Sequence, residues 1–132
     1  MSKNKHVIND PVFGFITIPN DFINQIIKHP FVQRLNRIKQ LGMASFAYPG
    51  AQHTRFHHTL GAMHLMQQVI TNLKTKGNNI SDDETNGALA CILLHDVGHG
   101  PFSHVLEHTI VEGIHHEEIS LKIMERLNNE LG

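Results

Sequence analysis

The chain has 132 residues, enough for one hydrophobic core and too few for two comfortable ones. Its 11 Lys plus Arg against 12 Asp plus Glu leave no strong field to attract nucleic acid or an anionic membrane surface, so partners have to be argued from local sites. A single cysteine, Cys91, excludes a disulfide framework within the chain and, inside an apolar run, reads as a small buried hydrophobe in a reducing compartment.

"MSKNKHVINDP" has basic residues but no following apolar core of signal-peptide length. No run approaches the roughly 18 to 20 apolar residues of a transmembrane helix, so a cytoplasmic protein without a membrane partner is expected. "HVINDPVFGFITI" (6–18) carries short β-branched and aromatic pieces broken by Asp10, Pro11 and Gly14, which predicts a small hairpin or extended arm over residues 1–19. Residues 20–132 read as a helical core. Asn20 can cap a helix through "DFINQIIKH", and Pro30 can open the next one, "PFVQRLNRIKQL", with Phe31, Leu35, Ile38 and Leu41 on one stripe and Gly42 as its C-cap.

"GMASFAYPGAQHTR" (42–55) has the glycines and proline of a loop. A long helix follows from 56 to about 76, with Leu60, Met63, Met66, Val69, Ile70 and Leu73 at helical spacing until "KGNN" ends it. Ser81 with Glu84 forms a capping box for a helix from 82 to about 96. Pro101 can start a short helix "FSHVLEH", and "HHEEISLKIMERLNN" supplies a last amphipathic helix with Ile119, Ile123, Met124 and Leu127 inward. The fold class expected is mainly α, a helical bundle with a short N-terminal β-hairpin or arm, in one domain spanning 1–132.

Histidine is the compositional outlier. Twelve occur, ten of them between residues 53 and 116, and they interleave with structured sequence rather than forming a terminal tag. The sharpest concentration is "ACILLHDVGHGPFSH" (90–104), where an apolar helix runs into His95, Asp96, His99 and His104. Uncompensated ionisable groups delivered out of a core are costly, so they point to a ligand. Adjacent residues diverge by about 100° on a regular helix, so His95 and Asp96 can meet at one ion only where the helix ends, with Gly98 and Gly100 turning the chain there. His58, near the start of the other long helix, can bring a third donor. Two imidazoles and a carboxylate without thiolate suit iron, manganese, nickel, zinc or magnesium rather than a cysteine-type structural zinc. His99 and His104 lie close enough in sequence to move a proton near neutral pH.

At these residues the sequence resembles the HD-domain metal-dependent phosphohydrolases, in particular the deoxynucleoside triphosphate triphosphohydrolase branch. The resemblance rests on "INDPVFGFI", "PFVQRLNRIKQLG", "YPGAQHTRFHHTLGAMHL", "LLHDVGHGPFSH" and "HHEEIS", in that order. It implies an HD-type helical domain, a divalent metal on His58, His95 and Asp96, acid–base or phosphate-facing roles for His99, His104 and His116, and substrate contacts from Gln40 and Arg55. The reaction it implies is attack of water on the α-phosphorus of a nucleoside triphosphate, releasing nucleoside and intact tripolyphosphate, in a protein that assembles with copies of itself.

Two departures stand beside the resemblance. The family's fourth metal ligand is a downstream aspartate, and no aspartate follows Asp96, which implies the N-terminal part of a longer enzyme with that ligand beyond residue 132. Lys28 and Asn36 replace residues used for nucleotide activation in a vertebrate relative, so such activation is not implied. The alternatives are a catalytically incomplete nucleotide-binding or oligomerisation module and an HD-type nucleotide phosphodiesterase.

Overall fold

The computed structural model describes residues 6–102, 113 and 115–131. It opens on the expected hairpin, β1 (Val7–Asp10) antiparallel to β2 (Gly14–Thr17), with Val7 opposite Thr17 and Asp10 opposite Gly14. The Asp10 carboxylate accepts from the backbone N–H of Val12 (2.8 Å) and Phe13 (2.9 Å), and Gly14 takes the left-handed φ of +71° that closes a three-residue loop. The loop tip is anchored by Phe13, whose ring lies where a Cβ on Gly61 would come within 2.9 Å of it.

Helix α1 (Asp21–Lys28) starts at Asn20, whose side chain accepts from Ile23 N–H at 2.9 Å, and it buries Ile23, Ile26 and Ile27. Pro30 is the first residue of α2 (Pro30–Gln33), as its missing N–H allows. The predicted continuation to Leu41 does not occur. The chain tightens into a 3₁₀ turn over Arg34–Arg37, and Ile38 becomes extended so that its carbonyl accepts from Arg55 N–H at 2.8 Å. A 3₁₀ turn advances three residues per turn rather than 3.6, so the stripe breaks. Leu35 and Ile38 stay buried while Leu41 is 52% exposed. Gly42, with φ +55°, opens a second 3₁₀ turn (Gly42–Phe46) rather than capping a long helix.

Helix α3 (Arg55–Thr75) is capped by Thr54, with His57 as the reciprocal member of the capping box. Its first half carries the packing, through Phe56, Leu60 and Met63, with Ile70 further on. Val69 and Leu73, assigned inward by spacing, are exposed because nothing described here covers that end of the helix. Helix α4 (Asp82–Leu94) begins with the predicted Ser81–Glu84 box and seats Leu89, Leu93 and Leu94 against α3, the principal helix pair of the fold. Cys91 is exposed, not buried, since it lies two residues, about 200°, from Leu89 on a helix whose apolar run continues all round.

Helix α5 (His116–Leu131) closes the core with Leu127, while Ile123 and Met124 are partly covered. Ile119, expected inward, is 36% exposed, and its neighbour Ser120 is buried in its place. The proposed short helix "FSHVLEH" falls, apart from Phe102, outside the described residues, as do His104 and His108. Among the described residues no helix is long and apolar enough to cross a membrane.

Candidate metal centre

Three elements meet at one point. The first turn of α3 carries Arg55 and His58, three residues apart and therefore on one helix face. The end of α4 carries His95 as its C-cap, and beyond it Asp96 enters a turn in which Val97 N–H donates to Leu94 O at 3.0 Å and His99 N–H to Asp96 O at 3.1 Å. Because α4 stops at Leu94, His95 and Asp96 escape the divergence of a regular helix. One donor atom from each of His58, His95 and Asp96 lies within 4.8 Å of the other two.

The donors are held in orientations suited to coordination. His95 Nδ1–H donates to the Ile92 carbonyl at 2.6 Å, which orients the ring and directs Nε2 toward Asp96 Oδ1 at 3.5 Å. His58 Nε2 is 3.9 Å from Asp96 Oδ2. Burial lowers the His58 pKa, Asp96 opposes it, and His95, Arg55 and His53 add to the lowering, so the ring is neutral and able to coordinate at neutral pH. Burial pushes the Asp96 carboxyl up, but a hydrogen bond from His99 and the positive fields of His95, His99 and Arg55 together outweigh it, and the group is held well below the usual carboxylate range. Two imidazole nitrogens and one committed carboxylate, converging without thiolate, fit a divalent cation.

Around this group, Arg55 Nη1 donates to Asp96 Oδ2 at 2.8 Å, an ion pair buried on both sides. His99 Nε2 lies 3.4 Å from Asp96 Oδ1, and the His116 ring stacks on His99 with centroids 3.9 Å apart and planes 18° from parallel. His99 is only 3% exposed, so His116 presents the more accessible ring of the pair. Next to His58 a cavity of about 710 Å³ opens between the hairpin tip and α3, lined by Phe13, Gln40, His53, His57 and Ala62 among others. Gln40 Oε1 accepts there from His53 Nε2 at 2.7 Å.

Residues 55–132 match the family model described as the HD domain. The chain belongs to the HD-domain family. It is 34% identical over 98% of its length to a deoxynucleoside triphosphate triphosphohydrolase SAMHD1 homolog of Dictyostelium discoideum, and 39% identical over 92% to the SAMHD1 enzyme of Gallus gallus. A solved phosphohydrolase structure from Bacteroides thetaiotaomicron superposes with a TM-score of 0.93 at 61% identity over 96% of this chain. The chain spans 26% and 21% of the two curated relatives and 32% of the solved one. The HD match begins at Arg55, the first residue of α3, so the hairpin, α1 and α2 precede the matched segment.

Of the residues singled out in the sequence, the HD fold brings His58, His95, Asp96, Arg55, His99 and His116 together and places Gln40 on the adjoining cavity. His104 lies outside the described residues. Three features around the centre were missed. Arg34 donates to the carbonyls of Val97 and His99, Ser120 Oγ accepts from Gly98 N–H at 2.9 Å, and His57, on the cavity wall, caps its own helix. Arg34 and Ser120 carry no signal in one sequence, since each acts on backbone brought near by the fold, whereas the Thr54–His57 box is local and could have been found from its three-residue spacing. Gly98 has a packing role besides the turn. What approaches it is the start of α5, where a Cβ would lie 2.1 Å from His116 O, whereas Gly100 has nothing within 4 Å among the described residues.

Proposed function

We propose that this chain forms the metal-binding and catalytic part of an HD-type phosphohydrolase that acts on deoxynucleoside triphosphates and releases nucleoside and tripolyphosphate. The observation that carries it is the convergence of His58, His95 and Asp96 donor atoms within 4.8 Å, beside Arg55, His99 and an open cavity. The names of the relatives supply the substrate class. His58, His95 and Asp96 would hold a divalent ion, with a fourth ligand supplied by an aspartate beyond residue 132 of a longer, self-assembling enzyme. When bound, the ion supplies Lewis acidity, drawing charge from a phosphoryl oxygen and making water a nucleophile near neutral pH.

The protein's own groups do the rest. Arg55 holds Asp96 in place by its buried ion pair and adds positive charge at the phosphate end of the site. His99 fixes the other carboxylate oxygen, and His116 or His104 gives a proton to the 5′ oxygen as the bond from α-phosphorus to that oxygen breaks and water's oxygen joins the phosphorus. Gln40, on the cavity wall, would meet the sugar.

The test is to incubate the full-length protein with each deoxynucleoside triphosphate and Mn²⁺, Mg²⁺, Ni²⁺ or Fe²⁺ and separate the products. Tripolyphosphate and nucleoside in equal amounts are expected. Bound metal with nucleotide binding but no cleavage of any substrate would replace this reading with that of a non-catalytic nucleotide-binding module.

A further inference from the structure

The loop that presents Asp96 and His99 is not part of a helix, so its geometry has to be imposed from outside. Past Leu94 the backbone carbonyls can no longer reach a partner four residues on. Two of them, Val97 O and His99 O, face the same side, and one guanidinium serves both. Arg34 Nη1 donates to His99 O at 2.9 Å, and Nη2 donates to Val97 O. Arg34 comes from the 3₁₀ turn after α2, 63 and 65 residues away in sequence, and that turn is itself seated in the core by Leu35. On the opposite side Ser120 of α5 accepts from Gly98 N–H. The three residues after Asp96 are thus latched from two elements, one cationic and planar, the other a hydroxyl.

We propose that Arg34 is a positioning residue of the reaction, setting His99 against Asp96 Oδ1 by clamping the carbonyls of Val97 and His99. The proposal rests on the hydrolase reading above and adds a residue that touches neither metal nor nucleotide. An arginine is needed because only its rigid fork directs two N–H groups at two carbonyls together, where a lysine ammonium serves them one at a time. His99 carries the consequence. It is buried, bonded to Asp96 and stacked on His116, so a shift of its backbone displaces the hydrogen bond to a metal ligand and the ring stack together.

The experiment uses the full-length protein with Arg34→Gln and Arg34→Lys. Three quantities are read: kcat and KM for the deoxynucleoside triphosphates, Mn²⁺ occupancy, and amide hydrogen exchange. In Arg34→Gln we expect kcat to fall roughly 10²-fold, the size of effect that a misplacement of about 1 Å produces. KM and Mn²⁺ occupancy stay near wild type, since no ground-state contact is removed. The amides of Val97 and His99 exchange at least about tenfold faster while those of α3 keep their protection. Arg34→Lys recovers part of both losses.

Wild-type exchange at Val97 and His99 in Arg34→Gln overturns the clamp. So does faster exchange throughout the chain, which would make Arg34 a general support of the fold. If Arg34→Gln does not fold, Arg34→Lys carries the same readouts, and wild-type kcat and exchange in it would overturn the need for a fork. If the wild-type protein cleaves no nucleotide, the hydrolase reading fails by itself, and the exchange data still decide whether Arg34 holds the loop.

Discussion

In Asp96→Asn protein, Mn²⁺ affinity falls by more than 10²-fold, turnover drops to background, and the fold loses about 3 kcal/mol. The first two follow from removing the one carboxylate of the donor set, a larger change than the 10–100-fold typical when only a partner of a ligand is lost. The third follows from Arg55. Its guanidinium is buried against Asp96 Oδ2, and deleting one member of a buried pair leaves an uncompensated charge at a cost of about 3–5 kcal/mol, here at the low end because the Asn carbonyl still accepts a hydrogen bond. Metal titration and urea unfolding measure the two effects separately. Combining Asp96→Leu with Arg55→Met removes both charges, so the double variant should be less destabilised than Asp96→Asn. Wild-type Mn²⁺ binding in Asp96→Asn would place the ion elsewhere.

The same groups fix the direction of the pH dependence. The Asp96 carboxyl has a depressed pKa in the folded protein, so its contribution is complete above the pH where an unfolded aspartate ionises, about 3.9, and is lost as pH falls toward the folded value. The His58 pKa is also depressed, so the unfolded chain takes up its proton first, and stability falls as pH drops below about 6.5. Both groups give the unfolded state more bound protons. Metal-free protein should therefore show a urea midpoint that declines in two stages on acidification, and His58→Gln should remove the earlier stage only.

The parts of the site visible in the sequence are those that depend on local order. The Ser81–Glu84 box, the Asn20 cap and the position of Pro30 each join residues within one turn, and all formed as read. The arrival of His95 and Asp96 at a helix end was legible because an apolar run and two glycines mark where α4 must stop. The end of α2 was not. "PFVQRLNRIKQL" has helical periodicity throughout, and what breaks it is a tertiary demand, the bridge between Lys39 and Thr54 that aligns the start of α3. Arg34 sits at the first residue after α2, and its two carbonyl partners lie 63 and 65 residues away, a contact no local pattern announces. Exposure at Cys91 and Ile119 went astray for a related reason, since periodicity names an apolar face without saying how much of it a neighbour covers.

Gly98 is where packing and chemistry are coupled most tightly, and Gly98→Ala should show it. A Cβ there would stand 2.1 Å from His116 O and 2.5 Å from both N and Oγ of Ser120, all at the start of α5, and two of these atoms are backbone that cannot rotate away. Carbon and oxygen need more than 3 Å, so the loop or the helix must move on the order of 1 Å. Overpacking of this kind costs about 1–3 kcal/mol, and losing the Gly98 N–H bond to Ser120 adds about 1 kcal/mol, which puts the variant near 3 kcal/mol of destabilisation. The displacement also separates His116 from its stack on His99, so turnover should fall roughly 10²-fold. Gly100→Ala is the control, because a Cβ there meets nothing within 4 Å among the described residues and should cost no more than about 0.5 kcal/mol. Ser120→Ala separates the two terms by removing the hydrogen bond without the clash, at about 1 kcal/mol. Equal unfolding midpoints for the two glycine variants would mean that α5 is not seated on Gly98, and the stacked histidines would then need another support.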